Sequence, residues 1–156
     1  MDKSQVMSEL VRVLAEDCAS LEAVMAAARD EATHGESRAE NQYDTRALEA
    51  SYLAAGQGRR MQSLQRLLGW ARQQTDAEHD RAVQGALIRL RDPDDRPRMV
   101  LLAPEGGKRL SVGDTVVELV SMRSPLGQAL ASLEEGDAAE FDGPTGVIEW
   151  SIEHIS

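Results

Sequence analysis

Three features of the 156-residue sequence predict an α+β protein, an N-terminal antiparallel α-helical coiled coil followed by a small β-sheet domain with one short helix. Through the first half, apolar residues recur at alternating steps of three and four, the seam of paired helices. A polar stretch from Thr75 to Asp80 then carries no apolar periodicity. Beyond it the pattern shortens to strand-like segments separated by Gly, Pro and Asp turns.

Taken in order, the first helix is expected from Asp2 or Ser4 to Thr33, with Gly35 as a left-handed stop just past its end. Its seam is Leu10, Leu14, Cys18, Leu21, Met25, Ala28 and Ala32. The second seam is Ala47, Ala50, Ala54, Met61, Leu64, Leu68 and Ala71. Two such stripes flanking a short polar turn are satisfied if the chain doubles back and each buries its stripe on the other. Alanine dominates the half of each seam nearest the turn, which predicts close approach of the arms there, and leucine dominates the base. Arms of about 30 residues place the turn roughly 45 Å from the base. That turn, Gly35 to Asp44, gathers Glu36, Glu40 and Asp44, and Ser37 with Glu40 has the spacing of a capping box opening the second helix.

The expected organisation is a hairpin over 1–75, a linker over 76–83 and a second domain over 84–156. Strands are predicted at Ala86 to Arg91, Arg98 to Ala103, Thr115 to Val120, Ala138 to Phe141 and Val147 to His154. Between the third and fourth, Ser124-Pro125 opens a short helix whose Leu126, Leu130 and Leu133 share a face.

Composition narrows the function. The formal charge of −10 argues against gripping duplex nucleic acid through its phosphates. The charge is also uneven: residues 1–75 hold 11 acids and 9 bases, whereas residues 76–156 hold 16 acids and 8 bases, so a basic partner is steered to the second half. No apolar run approaches the length of a membrane span, and a cytoplasmic protein is expected. Cys18 is the only cysteine, so an intrachain disulfide is impossible. His34, His79 and His154 lack zinc-ligand spacing, and Ser124 before a proline reads as a helix cap rather than a nucleophile.

The run Ser121-Met122-Arg123-Ser124-Pro125-Leu126-Gly127, leading through a short helix to Gly136-Asp137, resembles the C-terminal signature of the bacterial GreA/GreB factors, which help RNA polymerase cleave the transcript in backtracked complexes. Gly146 to Ile152 is similar to the closing strand of that domain. Gly35-Glu36, Glu40-Asn41 and Tyr43 resemble the family's helical tip. Two departures point to a divergent paralogue. The tip acids stand four residues apart rather than three, the first being Glu rather than Asp, and Leu133-Glu134-Glu135 replaces a lysine-rich segment.

The resemblance implies an FKBP-like second domain and a factor, not itself an enzyme, that binds the secondary channel of RNA polymerase. In that reading Glu36 and Glu40, with Asp44 in support, share a Mg²⁺ with the polymerase active site and stimulate transcript cleavage, because a second ion stabilises the attacking and leaving oxygens together. Ser124, Pro125, Leu126 and Gly127 would contact the polymerase, and Arg59, Arg60 and Arg66 the phosphates near the RNA 3′ end. An alternative keeps the docking and regulates without cleavage. A remote one, a prolyl isomerase, lacks the aromatic pocket such a site needs, with only Phe141 and Trp150 in the second half.

Overall fold

The computed structural model describes all residues except 34–44, 75–76 and 144–145, together with the side chains of 32, 33, 46, 47 and 143. Two helices come first, α1 (Lys3–Thr33) and α2 (Thr45–Gln73). The strands β1 (Leu87–Arg91), β2 (Pro97–Ala103), β3 (Arg109–Val112) and β4 (Thr115–Ser121) follow, then the short helix α3 (Pro125–Leu130), β5 (Ala138–Gly143) and β6 (Gly146–Ile155). No described helix is long and apolar enough to cross a membrane. The chain forms two compact units, Val11–Arg72 on one side and Met1–Leu10 with Gln73–Ser156 on the other.

The helical unit is a pair of helices, α1 and α2. Asp2 starts α1 by accepting the Ser4 amide at 2.9 Å, satisfying one of the donors a helix start leaves open. Cys18 in α1 feels the Arg72 guanidinium near the end of α2. Burial raises the thiol above its usual range, Glu22 and Asp17 add to this, and Arg72 opposes it. Toward the base the seam is buried at Leu14, Met61, Leu68 and Ala71, and Leu67 joins it. Toward the turn the expectation of close alanine packing fails. Ala26, Ala27, Ala28, Ala50 and Ala54 are all exposed, as are Val24, Leu48, Tyr52 and Leu53. Short alanine side chains carry too little apolar area to close that half by themselves.

In the other unit a six-stranded mixed sheet runs in the order β3-β4-β2-β1-β6-β5. Only β2 and β4 are parallel neighbours, and β3 hairpins onto β4 with Arg109 opposite Glu118 and Val112 opposite Thr115. The reading of five strands missed β3, a four-residue edge strand whose one buried side chain, Leu110, is too brief an apolar signal to stand out. On one face Ile88, Leu90, Val100, Leu102 and Ile152 pack with Leu126 and Leu130 of α3 in a single core. Leu87, Met99, Leu101, Val117 and Leu119, of opposite parity, are buried as well. Burial on both faces explains why Met99 to Ala103 is a continuous apolar run rather than an alternating one. Val6, Met7 and Leu10 at the start of α1 are buried within this same unit, and the Lys3 ammonium, 7% exposed, donates to the Ala77 carbonyl at 2.7 Å.

Candidate functional site

The Ser-Pro corner joins β4 to α3. Ser124 adopts an extended backbone as N-cap, its Oγ accepting the Gly127 amide at 3.1 Å while donating to the Ser121 carbonyl at 2.7 Å. Pro125 occupies the first turn, where its missing N–H costs nothing. Ser121 braces the corner from below. Its Oγ donates to the Pro104 carbonyl at 3.3 Å and accepts the Arg123 amide at 3.2 Å. Of the four residues assigned to partner contact, Leu126 and Gly127 are buried and Ser124 is half-buried in its cap, so Pro125 is the exposed one. Arg123 and Gln128 flank it, exposed, and Gln128 Nε2 ties back to the Arg123 carbonyl at 3.3 Å. The corner therefore presents a rigid Arg-Pro-Gln surface on a serine-braced turn.

Past α3, the Gly136-Asp137 turn is built the same way, the Asp137 carboxylate accepting the Glu134 amide at 2.9 Å and Gly136 taking φ +90°. Glu134 and Glu135 are both engaged. Glu134 pairs with Arg81 at 2.6 Å. Glu135 accepts the Ile155 amide at 2.8 Å and pairs with His154 Nδ1 at 2.7 Å, and these contacts, the amide first, hold its carboxyl below the usual carboxylate range.

A row across the sheet was not legible beforehand. Glu118 in β4 bridges Arg98 of β2 at 2.6 Å and Arg109 of β3 at 3.6 Å, and the Arg98 guanidinium lies 5.3 Å over the Trp150 ring of β6. These residues come from four strands spread over more than 50 positions, and no local spacing announces them.

On α2, Arg59, Arg60 and Arg66 are exposed, with Arg59 and Arg66 two turns apart. Glu36, Glu40 and Asp44, with the proposed capping box, lie outside the described residues. Among the described residues no group of three or more His, Cys, Asp or Glu is placed to hold a metal.

The sheet unit, a mixed sheet carrying one capped helix, is the part of the chain that a known family describes. The family model described as transcription elongation factor, GreA/GreB, C-term, matches residues 77–156, and the chain belongs to the GreA/GreB family. No curated relative matches it. Among solved structures it is similar to GreA factor homolog 1 (Gfh1) of Thermus thermophilus, at 21% identity over 94% of each chain with a TM-score of 0.39. It is similar also to Gfh1 of Thermus aquaticus, at 19% identity over 92% of each chain and a TM-score of 0.39. The GreA/GreB elongation factor of Nitrosomonas europaea gives 25% identity over 47% of this chain and 57% of that one, with a TM-score of 0.37.

These findings correct the expectation of a factor that stimulates transcript cleavage. The solved structures similar over more than nine-tenths of the chain include Gfh1 of Thermus thermophilus, a GreA factor homolog, and Gfh1 of Thermus aquaticus. The physical reason lies in the tip sequence. In the sequence Glu36 and Glu40 stand four residues apart, whereas the cleavage reading, as the resemblance implied it, called for two acids three apart.

Proposed function

We propose that this protein binds RNA polymerase at its secondary channel and regulates it without stimulating transcript cleavage. Membership of the GreA/GreB family through residues 77–156 carries the reading. The intact Ser-Pro corner supports docking by the sheet unit, which we take as the family's FKBP-like domain, and the altered tip supports the loss of cleavage. In this account Arg123, Pro125 and Gln128 form part of the docking surface. In the same account Arg59, Arg60 and Arg66 meet phosphates of the RNA end, and Glu36, Glu40 and Asp44 reshape the electrostatics of the channel. The polymerase retains all of the chemistry.

The test is co-purification with core polymerase followed by assay of a stalled elongation complex. The expected outcome is a stable complex, altered RNA synthesis and no shortening of the transcript at any magnesium concentration. Replacing Glu36 and Glu40 together by Gln is expected to leave binding intact while changing the effect on synthesis. Failure to bind, or a shortened transcript, contradicts the proposal.

A further inference from the structure

The strand carboxylates of the sheet divide into two groups. Glu118 and Glu153 are salt-bridged, to Arg98 and to Arg91. Glu140, Asp142 and Glu149, all on the β5–β6 hairpin, are exposed and have no cation partner among the described residues. Moreover, Glu140 stands directly opposite Glu149 in the register, a like-charged cross-strand pair that weakens the hairpin. Val147, opposite Asp142, is 68% exposed beside them.

A second observation concerns the backbone. β5 is the last strand of the sheet, and among the described residues none of Ala138–Gly143 makes a backbone hydrogen bond outside its ladder with β6. An open edge is a template for another strand, and its side chains decide which strand it admits. Like charge repels a second copy of this chain. It favours an extended segment with lysine or arginine at alternate positions. A strand added at the usual spacing of about 4.8 Å would set those cations beside Glu140 and within reach of Glu149.

We propose that the outer edge of β5, with the Glu140–Glu149 face, is a docking site for an extended, lysine- or arginine-bearing segment of a partner protein. The site is separate from the Ser-Pro corner and stands independently of the polymerase reading. It also explains why the hairpin keeps a pair that costs it stability. The repulsion is relieved when the cations arrive.

The experiment uses the full chain and a fluorescein-labelled peptide of repeated Lys-Val units, with a Glu-Val peptide as control. Anisotropy at low salt is expected to show binding of the first peptide alone, with amide shifts concentrated on β5 and β6. Replacing Glu140 and Glu149 together by Gln should weaken binding by about tenfold or more and at the same time raise the melting temperature, which separates lost recognition from lost folding. A Lys-Val peptide N-methylated at alternate residues, unable to pair along an edge, should bind far more weakly. Unchanged affinity for either the Gln variant or the methylated peptide, or shifts centred away from the hairpin, overturns the proposal.

Discussion

At Gly127 there is no room for a side chain: a Cβ there would sit 2.1 Å from the Ser121 carbonyl oxygen and 2.9 Å from Met122 Cα. Gly106 presses the same strand end from another direction, with 2.6 Å from its would-be Cβ to the Ser121 amide. The glycine of the Ser-Pro signature is thus a packing residue, required because the first turn of α3 rests directly on the backbone leaving β4. Both atoms it would strike are main chain, so neither can swing aside. Gly127→Ala is accordingly expected to destabilise the sheet unit by about 2 kcal/mol or more, in the range of overpacked cores. Ser124→Ala, which removes the cap and the hydroxyl's bond to the Ser121 carbonyl but adds no clash, should cost less, about 1 kcal/mol. Chemical denaturation followed at Trp150 measures both, and an alanine at 127 no worse than one at 124 would show that the turn has slack.

At the scale of elements, legibility followed the distance over which each feature is determined. Cap, proline and glycine of α3 lie within four residues, so the Ser-Pro helix and its cap could be read directly. The helical seam was legible too, because its period is local. Its gradient was not, since a periodic stripe records which residues face the partner and not how near the partner comes. The Arg98-Glu118-Trp150 row stayed hidden for the complementary reason: its members meet only once β2, β4 and β6 take their places in the sheet. From the observed gradient, Leu14→Ala at the fully buried base should cost about 2–5 kcal/mol, whereas Ala50→Ser on the exposed half should stay within about 0.5 kcal/mol. Helix content monitored against urea compares the two. Equal losses would mean that the arms are closed along their whole length.

At the scale of the molecule, the division into two units does not follow the division into helices and sheet. The first turns of α1 belong with the sheet unit, to which they bring the buried side chains of Val6, Met7 and Leu10. Lys3 fastens this start to the segment leading into the sheet, and burying an ammonium to 7% exposure is tolerable only because its protons are met, one of them by the Ala77 carbonyl. A chain lacking residues 1–10 would therefore lose core, not merely helix. Each of the three apolar side chains is worth up to about 1.5–3 kcal/mol of burial, so the truncation should lower the stability of the sheet unit by at least about 3 kcal/mol, or more than about 10 °C in melting temperature. The two tryptophans allow the units to be followed separately, Trp70 lying in the helical unit and Trp150 in the sheet. In a Trp70→Phe background, fluorescence reports Trp150 alone, and its transition is expected to move down on truncation. Lys3→Met should move it in the same direction by a smaller amount. If Trp150 melts at the same temperature with and without residues 1–10, the start of α1 contributes nothing to the sheet core.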